Sequence, residues 1–141
     1  MCQLCVIAES DPFIAQLLRR FAEQCNFSVI SECTGSKVIS VIHELKPTLL
    51  VLDVDLPGEL SGWQILQILQ DQLIIEKMAI ITTSWDNKKE NTHDVFPKSS
   101  RLTKPAINYN DFLDALRAAN LSMDFKSIEG EGGDLLNNLN N

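Results

Sequence analysis

Pro47-Thr48-Leu49-Leu50-Val51-Leu52-Asp53-Val54-Asp55-Leu56-Pro57-Gly58 reads as an apolar strand that ends on a carboxylate and then turns. Leu49 to Leu52 show no polar alternation, so both faces of the strand are buried, as in a parallel sheet covered by helices on each side. In open α/β sheets ligands gather in the crevice beyond the carboxyl ends of the strands, and that is where Asp53 falls. Asp53 is therefore the first candidate for chemistry.

Outward from this strand the chain alternates between the two periods. Leu4–Ala8 is a predicted strand, and Asp11-Pro12 then supplies an N-cap and a first-turn proline for a helix through Gln24, with Ile14, Leu17, Leu18 and Phe21 on one face. Phe27–Ser31 is a short strand, followed by a helix over Ser36–Leu45 with Val38, Ile39, Ile42 and Leu45 inward. After the Pro57-Gly58 turn, Ser61 caps a third helix bearing Ile65, Leu66, Ile68 and Leu69. Lys77–Thr82 is another buried strand, residues 87–95 form a weak polar helix ended by Pro97, Arg101–Thr103 is a fifth strand, and a last helix spans Tyr109–Leu121. Five strands alternating with five helices predict an α/β fold, a doubly wound five-stranded parallel sheet. Residues 1–122 form one domain on this reading. From Met123 the pattern stops, and Gly130, Gly132, Gly133 and the Asn-rich end mark residues 123–141 as a flexible polar tail.

Composition narrows the function. Lys and Arg total 12 against 19 Asp and Glu, a net charge of −7, which opposes direct binding to a nucleic-acid backbone. No apolar stretch reaches the roughly 18 residues of a membrane span, and the first residues lack the pattern of a signal peptide, so a cytoplasmic protein with no membrane partner is expected. The four cysteines, at 2, 5, 25 and 33, lie far from His43 and His93, which argues against zinc. Cys2-x-x-Cys5 runs into a strand rather than opening a helix, so these thiols read as buried or incidental. Trp63 and Trp85 read as helix packing and a loop anchor.

The strand ends converge. Glu9 follows Cys-Val-Ile-Ala, Asp53 follows Leu-Leu-Val-Leu, Thr82 follows Met-Ala-Ile-Ile, and Lys104 follows Arg-Leu-Thr. Two carboxylates suit a hard divalent cation, a hydroxyl and an ammonium suit phosphoryl oxygens, and a carboxylate beside them suits attack on phosphorus. The set is a phosphoryl-transfer constellation.

Carried by these residues, residues 2–121 resemble the receiver domain of two-component response regulators, of the single-domain chemotaxis-regulator-like type with a flavodoxin-like (βα)5 fold. The resemblance implies that Asp53 is phosphorylated by a sensor histidine kinase, a phosphotransfer protein or a small phosphodonor, with Mg2+ as cofactor. Glu9, Asp53 and the main-chain carbonyl of Asp55 would hold the metal. Thr82 would be the switch hydroxyl with Thr83 in the small-residue position beside it, although a one-residue shift of register would exchange them. Lys104 would pair with the phosphoryl group, with the family's cis peptide between it and Pro105. The chain would not be an enzyme beyond its own phosphorylation and dephosphorylation. With no output domain after residue 121, it would signal through a downstream protein partner, and a homodimer is compatible with this.

Two positions depart from the family pattern. Ser10 stands where the family usually has a second acid, which implies weak Mg2+ binding, while Asp11 reads as an N-cap rather than a replacement ligand. Arg101 stands where the family tends to carry an aromatic switch, which implies that the usual relay to the output face is altered or absent. Two alternatives remain at this point. One is a degenerate receiver acting as a phosphorylation-independent interaction module. The other, remote, is a haloacid-dehalogenase-like phosphatase suggested by the Asp53-Val54-Asp55 pair, which in that fold follows the first strand, whereas two βα units precede it here.

Overall fold

The computed structural model describes residues 3–85 and 100–131. Five parallel strands, β1 (Gln3–Ala8), β2 (Phe27–Glu32), β3 (Leu49–Asp53), β4 (Ala79–Ser84) and β5 (Arg101–Thr103), form one sheet in the order β2-β1-β3-β4-β5. The helices are α1 (Pro12–Gln24), α2 (Gly35–Leu45), α3 (Gly62–Asp71) and α4 (Tyr109–Glu131). The helix expected over 87–95 lies outside the described residues.

Side chains leave a strand alternately to its two faces, so β3 feeds two cores. Leu49 and Val51 join Cys5, Ile7, Ala79 and Ile81 beneath α1 and α4, which contribute Ile14, Leu18, Ala22, Phe112, Ala115 and Ala119. Leu50 and Leu52 join Val6, Ala8, Met78 and Ile80 beneath α2 and α3, which contribute Val38, Ile42, Ile65, Leu66 and Leu69. Every residue of β3 is buried, as the unbroken apolar run requires. Each such aliphatic side chain contributes about 1.5–3 kcal/mol of burial. Because the chain passes from β1 to β2 through α1 on one face and returns from β2 past β1 to β3 through α2 on the other, the crevice above β1 and β3 is the switch point of the sheet.

The helix starts obey their caps. Asp11 accepts the Phe13 and Ile14 N–H groups at 2.8 and 3.3 Å, and Ser61 and Gln64 form a reciprocal capping box. Asn108 and Asp111 exchange two hydrogen bonds of the same kind ahead of α4, at 2.8 and 3.2 Å.

Most element bounds agree with the sequence reading to within one residue, and the larger departures are in β4, at Leu45 and in α4. β4 runs over Ala79–Ser84 instead of Lys77–Thr82, because Ile74–Lys77 forms a short 3-10 helix that delays strand entry. Leu45, expected inward, is exposed at the end of α2. α4 continues past Leu121 to Glu131, so residues 123–131, read as flexible tail, are helical. No proline interrupts that stretch and its first glycine is Gly130, so nothing local stops the helix. Residues 132–141 lie outside the described residues.

Candidate functional site

Glu9 sits one residue beyond β1 and Asp53 ends β3, so the two carboxylates stand side by side above the switch point. Both continue the side-chain rows that lie beneath α1 and α4: Cys5 and Ile7 lead to Glu9, and Leu49 and Val51 lead to Asp53. Leu102 on β5 leads likewise to Lys104. The Lys104 ammonium reaches across the sheet to both acids, at 3.0 and 3.3 Å from the Glu9 oxygens and 3.2 Å from Asp53 Oδ2. Glu9, Asp53 and Lys104 are 4%, 2% and 2% exposed, so this is a buried cluster of two carboxylates and one ammonium.

Local backbone fixes the Asp53 carboxylate. Asp53 Oδ1 takes the Asp55 N–H at 2.9 Å while Oδ2 faces Lys104, so each oxygen has one defined partner. Gly62, at the start of α3, packs directly on the Asp53 carbonyl and the Val54 Cα, where a Cβ has no room. Glu9 accepts the Asp11 N–H at 3.1 Å. Burial pushes the Glu9 carboxyl above its ordinary range; the Asp11 N–H and Lys104 hold it down in part, and the Asp53 charge adds to the rise. The Lys104–Pro105 peptide is cis, as the resemblance implied.

The two threonines separate. Thr82 continues the Met78 and Ile80 row toward α2 and α3, the face away from Asp53. Thr83 continues the Ala79 and Ile81 row, pairs in register with Asp53, and is 1% exposed. Its hydroxyl is the buried side-chain oxygen left without a hydrogen-bond partner among the described residues. The hydroxyl on the Asp53 side is therefore that of Thr83, with Ser84 beside it.

The remaining candidates lie at the margin. Ser10 is exposed, and Asp11 is engaged as the α1 cap. Asp55 has an exposed side chain. Among the described residues no group of three or more His, Cys, Asp or Glu side chains is placed to hold a metal ion. The hard oxygen donors are the two carboxylates and main-chain carbonyls, a set that suits Mg2+ held largely through water. Trp85, read from the sequence as a loop anchor, stands over Lys104 with its ring centroid 4.9 Å from Nζ. Nothing in the linear order of residues marks that contact. Cys5, Cys25 and Cys33 are free thiols, and burial pushes the Cys5 thiol up. Among the described residues no helix is long and apolar enough to cross a membrane.

Comparison with known proteins bears on the family and the fold. The response regulator receiver domain model matches residues 5–117. A search of curated proteins returned no match. Among solved structures, the chain resembles the signal receiver domain of a putative LuxO repressor protein from Vibrio parahaemolyticus, with a TM-score of 0.74 at 18% identity over 92% of this chain and 98% of that one. It also resembles a CheY-like receiver domain from Methylobacillus flagellatus, with a TM-score of 0.66 at 17% identity over 84% of this chain and 99% of that one. The response regulator PhyR from Brucella abortus gives a TM-score of 0.70 at 21% identity, over 94% of this chain and 53% of that one. At these identities the structural likeness speaks for the fold, and the family match carries the assignment: the chain belongs to the response regulator receiver domain family.

Proposed function

We propose that this receiver accepts a phosphoryl group on Asp53 from a histidine kinase, a phosphotransfer protein or a small phosphodonor, and signals through a protein partner. The observation that carries this reading is the buried Glu9–Lys104–Asp53 cluster with the Thr83 hydroxyl, without a hydrogen-bond partner among the described residues, on the same face. An Asp53 carboxylate oxygen attacks phosphorus, the new P–O bond forms as the bond to the donor breaks, and the donor departs with that electron pair. Lys104 presents its charge to the transferred oxygens, and the Thr83 Oγ1–H donates to one of them, which gives that hydroxyl a partner that it lacks among the described residues.

Glu9, Asp53 and the Asp55 carbonyl are the donors for Mg2+, which when bound neutralises charge between the nucleophile and the incoming group. Ser10 withholds a third carboxylate, and Lys104 already balances one of the two present, so binding is weak. The chemistry is confined to Asp53, with no turnover of a separate substrate. The net charge of −7 and the absence of a candidate membrane helix among the described residues favour a cytoplasmic protein that contacts proteins rather than nucleic acid or lipid.

Intact-mass measurement after incubation with acetyl phosphate and Mg2+ tests this. The wild type gains one phosphoryl group and Asp53→Asn does not. A wild type that stays unlabelled, with Mg2+ in excess, makes the chain a phosphorylation-independent interaction module instead.

A further inference from the structure

Lys104 is gripped from two sides. Glu9 and Asp53 take its ammonium within 3.3 Å, and the face of Trp85 covers it at 4.9 Å. The strand end that carries Trp85 is held to the same lysine, because the Lys104 N–H donates to the Ser84 carbonyl at 2.7 Å. Lys104 is 2% exposed and Trp85 47% exposed. Trp85 thus touches a fully desolvated ammonium on one side and solvent on the other. Position 101, where the resemblance leads one to look for an aromatic switch, holds Arg101 on β5.

We propose that Trp85 relays the charge state of the Asp53 pocket to the protein surface through Lys104, an inference that rests on the phosphorylation reading above. Attraction between an ammonium and an aromatic face depends on the cation lying over the ring and weakens as it moves away. A phosphoryl group on Asp53 replaces one carboxylate charge by nearly two, with three strong acceptor oxygens. The ammonium then turns to those oxygens, since charge-assisted hydrogen bonds outweigh contact with a neutral ring. Trp85 loses the cation beneath it and its half-exposed indole is released, which changes the surface beside the pocket. The neutral ring and the phosphoryl anion compete for one ammonium, and that competition is the switch.

The chain has two tryptophans, so Trp63→Phe leaves Trp85 as the sole indole emitter; Trp63 lies on α3 and packs against the core on the face of the sheet opposite the row that leads to Lys104. Intact mass, tryptophan emission and acrylamide quenching are read on the same sample of this variant before and after acetyl phosphate with Mg2+. The expected result is a one-phosphoryl mass gain together with a change in emission intensity and easier quenching, all absent from the Asp53→Asn form. A mass gain without any change in emission or quenching overturns the relay and leaves the phosphorylation reading standing. No mass gain overturns both. Lys104→Met in the same background, without donor, should already show the emission of the labelled form, and unchanged emission there overturns the relay regardless of labelling. Should that variant fail to fold by circular dichroism, the labelled and unlabelled samples of the Trp63→Phe protein decide alone.

Discussion

Asp53 and Thr83 are direct partners across β3 and β4: their Cα atoms pair in register, and the Val54 N–H donates to the Thr83 carbonyl at 3.0 Å. The pairing sets the Thr83 hydroxyl on the Asp53 side, buried and without a hydrogen-bond partner among the described residues. A group left in that state costs about 1–3 kcal/mol in the resting protein, a cost that a phosphoryl oxygen would relieve. Thr83→Val should therefore raise stability by about 1 kcal/mol in urea denaturation. The same variant should slow phosphorylation by acetyl phosphate roughly tenfold or more, since an oriented donor to developing negative charge is lost. Thr82→Val should leave the rate unchanged. Equal effects of the two variants on the rate would remove Thr83 from its role.

Gly62 allows α3 to start against the end of β3. A Cβ there would overlap the Asp53 carbonyl and the Val54 Cα, both backbone, so no side-chain motion relieves it. Gly62→Ala should cost about 3 kcal/mol, near the upper end for overpacking, and should displace the acceptor loop enough to slow labelling of whatever protein remains folded. Urea midpoints and intact mass read the two effects separately.

How far the sequence revealed this site follows from the kind of signal each residue carries. Leu49 to Leu52 disclosed their double burial because an unbroken apolar run allows few alternatives, and Glu9 and Asp53 each follow such a run, whereas Lys104 follows the mixed Arg101-Leu102-Thr103 and carries a weaker signal. Thr82 and Thr83 did not sort themselves. A strand has period two, and two adjacent threonines fit either phase until pairing with Asp53 fixes the register. The start of β4 was hidden for a related reason, since Ile74, Ile75 and Met78 extend the apolar stretch across a 3-10 helix. α4 outran its expected end at Leu121 because loss of apolar periodicity is a weaker stop than glycine or proline. The Trp85–Lys104 contact joins residues from different strands and leaves no local trace.

Ser10 gives the sharpest test of metal affinity. Asp11 is occupied as the cap of α1, so a third carboxylate has to come from substitution. A unit charge about 4 Å from a divalent ion is worth about 2 kcal/mol even in water, which is more than tenfold in affinity. Ser10→Asp should tighten Mg2+ by roughly tenfold or more on this basis and speed labelling of Asp53. Its melting temperature without Mg2+ should fall, because three acids then face one lysine, and Mg2+ should restore it. Asp11→Ala should cost about 1 kcal/mol of stability through the lost cap and leave Mg2+ affinity as it was. Weakened Mg2+ binding in Asp11→Asn, which keeps the cap, would show that Asp11 is a ligand after all.

Lys104 is the only cation among the described contacts of the two buried acids. Removing one partner of a buried charge cluster costs about 3–5 kcal/mol, mainly because the others stay desolvated and unbalanced. Lys104→Met should lose that much in urea denaturation. Adding Glu9→Gln and Asp53→Asn to it should recover a large part, since the pocket is then neutral. A triple variant no more stable than the single one would mean that Lys104 acts by packing and not by charge.

Glu9 makes the pocket sensitive to pH. Its folded-state pKa lies above the ordinary value near 4.5, chiefly through burial, so the folded protein holds this proton more tightly than the unfolded chain does. The corresponding stabilisation is fully present below about pH 4.5 and is lost as pH rises through the raised value. Other carboxylates act across the same range, so the comparison has to be with Glu9→Gln. The stability of the wild type minus that of Glu9→Gln, from urea denaturation, should decline with pH above about 4.5 and level off once Glu9 is ionised. Mg2+ competes with the same proton, so wild-type affinity for the ion should climb through that window, while Glu9→Gln binds more weakly and with less dependence on pH. A stability difference that rises with pH would mean that Lys104 and the Asp11 N–H outweigh burial and that Glu9 is held as a carboxylate throughout.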